Sequence, residues 1–292
     1  MNSNQDNPPR IALIGGGQMA RALIGGWIGR GIPAGSIAVS DPNATQRDWL
    51  GAAFPGVRLH AENEAAAADA DVWILAVKPQ LLAGVTRSLA PAYARTRPLV
   101  VSIAAGIRAV DLNRWLGGRA RVIRSMPNRP ALIGAGVSAL CADGSVSAED
   151  RAIATRLLEA AGSVVWVESE AQIDAVTAVS GSGPAYFFLL IELLEAAGIA
   201  EGLAPGVARR LAIGTATGAA RLAAESGDDP ATLREQVTSK GGTTAAALAV
   251  FEAADLRAIV RRAVAAAAQR SRELAEEFGR DPVTPETGAP HA

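Results

Sequence analysis

The stretch "RIALIGGGQMARALIGGWIGRG", residues 10–31, decides how the chain folds. It opens on a short β-rich run, Ile11–Ile14, which three glycines follow directly. The remainder has a helical pattern, because its large apolar residues recur at helical spacing and share one face: Met19, Leu23, Ile24 and Trp27. The stretch therefore predicts a strand, a tight glycine turn and a helix in immediate succession.

The glycine spacing in this turn is Gly15-x-Gly17-x-x-Ala20. A second predicted strand ends about 20 residues later at Ser40 and Asp41, which is the context that a dinucleotide-binding fingerprint requires. In such a loop Gly15 makes the tight turn, Gly17 lets the backbone approach a pyrophosphate, and Ala20 lets helix and strand pack closely. A plain glycine-rich βα turn is the alternative.

Strands and helices alternate through the first half of the chain. Apolar strands that do not alternate with polar residues indicate a sheet buried on both faces, and intervening helices indicate a parallel, doubly wound sheet. The predicted strands after the first are "SIAVSD", "DVWILAVKP", "PLVVSIAAG", "RVIRSMPN" and "AGSVVWVES". We expect a Rossmann-type α/β domain over residues 1–168, with "AVKP" (76–79) and "SIAAG" (102–106) at the edge of the sheet that lines the ligand crevice.

Strand signals end near residue 169, and residues 169–292 are predicted to form an all-α domain. Its helices are rich in alanine and apolar on more than one face, so they must be buried. A domain of this size has too little else to cover them, which predicts a homodimer through the helical half.

The composition limits the classes of function. Hydrophobic residues make up 49% and charged residues 20% of 292 residues, with a net charge of −1, so neither nucleic acid nor an anionic membrane is an expected partner. With one cysteine and two histidines, a metal site or a Ser-His-Asp triad is not expected. "MNSNQDNPPR" has no apolar signal core, and "AYFFLLIELL" is too short to span a bilayer, so we expect a cytoplasmic protein.

The segment "TSKGGTTAAAL", residues 238–248, places two glycines and several hydroxyls at the start of a predicted helix. Serine and threonine cap helices and glycine turns chains, which is the structural interpretation. The functional interpretation is that free backbone N–H groups at the helix start bind a carboxylate or phosphate.

Five motifs occur in the order seen in pyrroline-5-carboxylate reductases, and the chain resembles that family from residue 10 to residue 278. The motifs are "IGGGQMA", "AVKPQ", "RSMPNRPAL", "DAVTAVSGSGPAYFF" and "VTSKGGTTAAAL". The resemblance implies a Rossmann domain followed by a helical dimerisation domain. It implies NAD(P)H-dependent reduction of L-1-pyrroline-5-carboxylate to L-proline, the last step of proline biosynthesis. It also implies homodimers that commonly assemble into decamers.

The resemblance also assigns site residues. It implies that the substrate is bound by Glu170, Gln236, Thr243 and Thr244. The residue chemistry adds Gly242, which exposes backbone, and predicts that the Thr244 hydroxyl contacts the imine nitrogen as the catalytic group. The resemblance implies that the cofactor is bound by Ile14, Gly15, Gly16, Gly17, Gln18, Met19, Ser40, Asn63, Ala76, Val77, Lys78, Pro79, Ala104, Ala105 and Gly106. Two residues depart from the family pattern: Lys240 stands where proline is usual, and Arg129 stands where threonine is usual.

The residue chemistry agrees with reduction of a cyclic imine. The ring nitrogen arrives protonated, so hydride transfer yields a neutral amine and needs no strong acid. The alternatives are another imine reductase, a β-hydroxyacid dehydrogenase with Lys240 as its acid, and a module that only senses a dinucleotide.

The cofactor is expected to be NADPH, with NADH also used. Ser40, Asn43 and Arg47 could hold a 2′-phosphate, whereas Asp41 argues for NADH, because a carboxylate there often bonds the ribose 2′-hydroxyl.

Overall fold

The computed structural model describes residues 8–280 and contains an eight-stranded sheet of order β3-β2-β1-β4-β5-β6-β7-β8. Neighbouring strands from β3 to β6 are parallel, β7 runs antiparallel to β6, and β8 is parallel to β7. The strands are β1 (Ile11–Ile14), β2 (Ile37–Ser40), β3 (Arg58–His60), β4 (Val72–Leu75), β5 (Leu99–Ser102), β6 (Val122–Met126), β7 (Gly136–Ala142) and β8 (Gly162–Trp166). The predicted parallel, doubly wound sheet is confirmed as far as β6. Sequence analysis did not predict β3, β7 or the reversal.

Helices cover both faces of this sheet. They are α1 (Gln18–Gly29), α2 (Ala44–Ala53), α3 (Asn63–Ala67), α4 (Pro79–Thr96), α5 (Ala109–Trp115), α6 (Ala148–Glu159) and α7 (Gln172–Val176). All four residues of β1, β2, β4 and β5 are buried, and their side chains point alternately into two hydrophobic cores. Trp27 of α1 is fully buried. Its indole N–H is satisfied there, since it donates to the carbonyl of Leu157 in α6 at 2.7 Å.

The chain divides into two compact units. The first comprises residues up to Gly181 together with those from Ala268 onward, and the second comprises Ser182–Ala267. The expected boundary near residue 168 differs from this division, because α7 and a π-helical turn, Thr177–Gly181, pack in the first unit. Ser271, near the end of the chain, also donates to Asp174 at 2.7 Å. The assignment of cofactor binding to residues 1–168 and of substrate binding to residues 169–292 stays a prediction.

The second unit is helical, as predicted. Its elements are α8 (Gly183–Ala200), α9 (Pro205–Glu225), α10 (Pro230–Gln236), α11 (Thr243–Ala253) and the first half of α12 (Leu256–Gly279). In the single chain, α8 buries little of its apolar surface. Six of its large side chains are more than half exposed: Phe187, Phe188, Leu189, Leu190, Leu193 and Leu194. Such a surface requires a covering partner.

Helical elements follow one another from Gln172 to Ala200, a stretch of 29 residues with a bend at Ser182. This stretch is long and apolar enough, by length and composition alone, to cross a membrane, and it is the one such stretch within residues 8–280. The expectation that the run around "AYFFLLIELL" is too short was therefore wrong, because α7 and the π-helical turn extend α8 towards its N-terminus. A helix buried between protein subunits meets the same requirement of apolar composition.

Candidate functional site

The predicted cofactor residues of the first unit lie at or just after the carboxyl ends of five neighbouring strands, β3, β2, β1, β4 and β5. The chain leaves β1 towards β2 on one side, whereas β4 pairs on the other side of β1. This is the topological switch point, where open parallel sheets form their ligand crevice. The structure therefore brings these residues to one edge of the sheet.

Gly15 makes the turn from β1 into α1. Its φ is +101°, and a Cβ added there would lie 2.8 Å from the carbonyl oxygen of Ala76. Its N–H donates to the carbonyl of Ser40 at 2.8 Å, which ties the turn to the end of β2. Only glycine permits this crossing, since another residue would be strained and would collide with the β4 backbone.

Gly17 is the N-cap residue of α1, and no side chain caps this helix. It is exposed, and a Cβ added there would meet no atom within 4 Å. The helix therefore begins with free N–H groups and an open approach, which is what a pyrophosphate needs at a helix N-terminus. The residues present fit a dinucleotide.

Ser40 and Asn63, both predicted cofactor residues, contact each other. Ser40 is fully buried, and its hydroxyl donates to Asn63 Oδ1 at 2.8 Å. The Asn43 side chain caps α2, and an Arg47 N–H donates to the carbonyl of Asp41 at 2.7 Å. The expected roles of Ser40, Asn43 and Arg47 in holding a 2′-phosphate stay predictions.

The remaining predicted cofactor residues follow β4 and β5. Lys78 is exposed at the N-cap of α4, and Pro79 is the first residue of that helix. After β5, Ala104 and Gly106 are buried and Ala105 is half-buried. These segments lie at the carboxyl ends of β4 and β5.

Glu170, predicted to bind substrate, lies in the first unit and is engaged within it. One oxygen, Oε1, accepts a hydrogen bond from the backbone N–H of Ala109 at 2.6 Å and from Arg124 at 2.8 Å. Arg124 is almost fully buried, whereas a third of the Glu170 side chain is exposed. The carboxylate thus balances a buried guanidinium and holds the start of α5, which closely follows the Ala104–Gly106 turn.

Cys141 lies beside this ion pair, at a cavity of about 320 Å³. Burial, and then the negative charge of Glu170, raises the pKa of the Cys141 thiol. The thiol is therefore protonated at neutral pH, and Cys141 is a poor candidate for a nucleophile.

The other predicted substrate residues belong to the second unit. Gly242 is the N-cap of α11 and makes no side-chain capping bond, and Thr243 and Thr244 are the first two residues of the helix. The structural interpretation holds in part: Gly241 turns the chain with a φ of +75°, but no hydroxyl caps the helix. Its first-turn N–H groups are free to bind a carboxylate, and the half-buried Thr244 stands beside them.

Gln236 is the last residue of α10 and is exposed. Its side-chain amide donates to Asp228 at 3.0 Å. Within residues 8–280, no group of three or more His, Cys, Asp or Glu side chains is placed to hold a metal ion.

Two contacts of the fingerprint loop were missed by sequence analysis. Gln46 donates to the carbonyl of Gly16, and Arg21 donates to Gln46 at 2.8 Å. No motif marks these residues, since Gln46 is polar on a polar helix and Arg21 follows the last position of the fingerprint.

A doubly wound sheet with this glycine loop and a following helical unit defines a Rossmann-type, NAD(P)-dependent oxidoreductase. A family model described as NADP oxidoreductase, coenzyme F420-dependent, matches residues 10–106. A second, described as pyrroline-5-carboxylate reductase dimerisation, matches residues 170–274. The chain belongs to the pyrroline-5-carboxylate reductase family.

The similarity to individual relatives covers nearly the whole chain. The chain is 50% identical to the pyrroline-5-carboxylate reductase of Pseudomonas aeruginosa, over 93% of this chain and 98% of that protein. The structure of a pyrroline-5-carboxylate reductase from Coxiella burnetii matches with a TM-score of 0.88 and 38% identity, over 92% of this chain and 99% of that one. The Plasmodium falciparum pyrroline carboxylate reductase, solved with NADP bound, matches with a TM-score of 0.81 and 27% identity, over 92% and 99% of the two chains.

These findings confirm the predicted family, fold class, enzyme class and use of NAD(P)H. The family's dimerisation domain in the second half also confirms that the chain oligomerises. Membership of a reductase family confirms that it acts on a small molecule. The roles of individual site residues stay predictions.

Replacing Gly17 by alanine tests the open helix start. A methyl group there meets nothing in the protein but occupies the approach to the helix N-terminus, so Kd for NADPH should rise at least about 10-fold, or ~1.4 kcal/mol. The thermal midpoint should stay unchanged. Fluorescence titration and thermal melts measure both, with Gly29→Ala, equally uncrowded at the other end of α1, as control. Unchanged NADPH affinity in Gly17→Ala would place the pyrophosphate elsewhere.

Proposed function

We propose that this protein reduces L-1-pyrroline-5-carboxylate to L-proline, taking the hydride from NADPH in preference to NADH. The observation that carries the substrate assignment is the start of α11, where Gly242 leaves the helix uncapped and two threonines follow. The family to which the chain belongs supports the reaction.

The first unit binds the cofactor. The free N–H groups at the start of α1 take the pyrophosphate, and the Ala76–Pro79 and Ala104–Gly106 segments line the nicotinamide side. The bound nicotinamide supplies a hydride to the ring carbon of the imine. Glu170 balances Arg124 and fixes the start of α5.

The second unit binds the substrate. The backbone N–H groups of Thr243 and Thr244 bind the carboxylate, and the positive end of the helix dipole favours its charge. The Thr244 hydroxyl accepts a hydrogen bond from the protonated ring nitrogen and so orients the flat ring. Gly242 adds no side chain to this approach, and Gln236, at the end of α10, completes the polar surroundings.

No acid is needed at this site because the substrate carries its own proton. The iminium nitrogen receives the electron pair of the C=N bond as the hydride adds to carbon, and the product is a neutral amine. This chemistry fits a chain with two histidines, one of them in the tail, and with lysine only at positions 78 and 240.

Thr244→Ala tests the hydroxyl, since it keeps both backbone donors. A hydrogen bond to a charged group contributes roughly 1.5–3 kcal/mol, so kcat/KM for the imine should fall about 10- to 100-fold. NADPH affinity should stay unchanged. The assay follows NADPH oxidation with pyrroline-5-carboxylate, and Thr244→Val should match the alanine variant. If both variants keep wild-type kcat/KM, the hydroxyl has no role in the reaction.

A substrate panel separates this reaction from that of a β-hydroxyacid dehydrogenase. Lys240, the acid that such an enzyme would need, is exposed in the turn before α11 and outside any helix. The wild-type enzyme should therefore oxidise NADPH with the cyclic imine and not with 3-oxoacids. The reverse preference would refute the proposed substrate class.

The proposed preference for NADPH depends on Arg47. Its guanidinium is held beside the end of β2 by the carbonyl of Asp41, where the 2′-phosphate of the adenosine ribose is expected. Asn43 is the N-cap residue of α2, and the N-terminus of that helix favours the negative charge of the 2′-phosphate. The Asp41 carboxylate is already engaged, because its two oxygens accept the N–H groups of Gly16 and Asn43.

Arg47→Ala should lower kcat/KM for NADPH about 10-fold or more, since one charge-assisted contact to phosphate is lost. The same variant should leave kcat/KM for NADH nearly unchanged, because NADH lacks the 2′-phosphate. Steady-state kinetics with both cofactors measures the ratio, and Arg95→Ala, an exposed arginine of α4, is the control. An equal loss with both cofactors would show that Arg47 supports the fold and not the preference.

We further propose that the enzyme is a homodimer through the helical unit, working in the cytoplasm, and that dimers assemble into decamers. The six exposed apolar side chains of α8 supply the surface that a second copy covers. The family model for dimerisation, which spans residues 170–274, supports this assignment. The same coverage would account for the apolar stretch Gln172–Ala200 without a membrane.

Sedimentation velocity tests this assembly. The wild-type protein should sediment at no less than twice the chain mass of 29.9 kDa at micromolar concentration, without detergent. Leu190→Glu on the apolar face of α8 should shift it towards monomer, because a charge would be buried in the interface. Glu201→Gln, at the exposed end of the helix, serves as control. A stable wild-type monomer, or recovery only in the membrane fraction, would refute the proposal.

A further inference from the structure

The peptide groups around Gly16, the middle residue of the fingerprint loop, are held by hydrogen bonds on both sides. The N–H of Gly16 donates to Asp41 Oδ2 at 2.9 Å. Its carbonyl accepts a hydrogen bond from the side-chain amide of Gln46, in α2. Both partners come from the β2–α2 segment, about 25 to 30 residues along the chain.

Arg21 fixes the orientation of the Gln46 amide. An Arg21 N–H donates to Gln46 Oε1 at 2.8 Å. Because a guanidinium can only donate, the amide must turn its oxygen to Arg21 and its NH₂ group to Gly16. Arg21 is itself held, since its guanidinium carbon lies 3.6 Å from the centre of the Trp49 ring. Arg21 and Gln46 are both half-buried, which protects the contact from water.

We infer that Gln46, oriented by Arg21, is a positioning residue for the cofactor pyrophosphate. The Gly16 carbonyl belongs to the peptide that carries the N–H of Gly17. A hydrogen bond on that carbonyl therefore fixes the direction of the Gly17 N–H, at the open start of α1. Gln46 itself touches neither substrate nor reacting atoms. The inference rests on the proposed placement of the pyrophosphate at this loop.

This role predicts a specific kinetic pattern. Loss of the Gln46 bond should weaken binding of the whole dinucleotide, because the loop samples other peptide orientations. It should leave kcat unchanged, because hydride transfer takes place at the other end of the cofactor. A ligand that carries the adenosine 2′-phosphate but no pyrophosphate should bind with the same affinity whether or not the Gln46 bond is present.

The test compares Gln46→Met, Arg21→Met and the double variant in the full-length enzyme. Gln46→Met keeps the side-chain length and removes the donor, so Kd for NADPH should rise about 3- to 10-fold, the worth of one net hydrogen bond. kcat should stay within about 2-fold, since the reacting groups are untouched. Arg21→Met should have a smaller effect that disappears in the Gln46→Met background. Gln269→Met, on the exposed face of α12, is the control.

Adenosine 2′-monophosphate distinguishes a specific effect from a general loss of structure, because a general loss of structure would weaken its binding as well. Its inhibition constant should be the same in wild type and Gln46→Met. Gln46→Glu, which keeps an acceptor for Arg21 and cannot donate to Gly16, is the second variant and should weaken NADPH binding at least as much. Wild-type NADPH affinity in both Gln46 variants, or equal weakening of both ligands, would overturn the inference.

The Gly17→Ala variant separates this inference from the proposed cofactor site. If Gly17→Ala weakens NADPH binding and the Gln46 variants do not, the pyrophosphate site stands and the role of Gln46 is wrong. If none of these variants affects NADPH binding, the placement of the pyrophosphate is wrong. Additive effects of Arg21→Met and Gln46→Met would show that Arg21 does not act through Gln46.

Discussion

The close crossing of the β1–α1 turn over the end of β4 is the constraint on which the cofactor half of this enzyme depends. A Cβ at Gly15 would lie 2.8 Å from the Ala76 carbonyl oxygen, so the chain can pass only as glycine. This passage lets α1 start at the switch point between β1 and β4 with its N–H groups towards the crevice. Everything placed later on that edge, from Ser40 to Gly106, takes its position relative to this helix start.

The second unit follows from a different constraint, the imbalance between apolar surface and available cover. The helix α8 has six large apolar side chains that are more than half exposed. An apolar surface of this kind is not stable in water without a partner that covers it. Within the same unit the start of α11 is uncapped, since its N-cap residue is Gly242.

Sequence alone predicted the features that depend on local spacing. The Gly15-x-Gly17 pattern, the strand ends at Ser40 and Ala76, and the helix start at Gly242 can each be recognised from a few adjacent residues. Features that depend on distant pairing were missed. The bond from Gln46 to Gly16 joins segments whose contact no local pattern encodes. The reversal at β7 was also missed, although β7 pairs with β6, the strand directly before it. The boundary expected near residue 168 was placed where strand signals end, whereas α7 stays with the first unit through contacts such as that of Asp174 with Ser271.

The chemistry of the substrate explains why the site relies on backbone groups and hydroxyls. A carbonyl reductase must protonate an alkoxide, and its active site must hold an acid whose pKa suits that step. A protonated imine removes this requirement, and what remains is to hold an anion and orient a ring. Free N–H groups at a helix start hold the anion at no cost in side-chain entropy, because the helix already fixes them. A hydroxyl then suffices for the ring nitrogen. The cofactor makes a similar demand at the start of α1, and in the proposed site the two uncapped helix N-termini meet the same physical need.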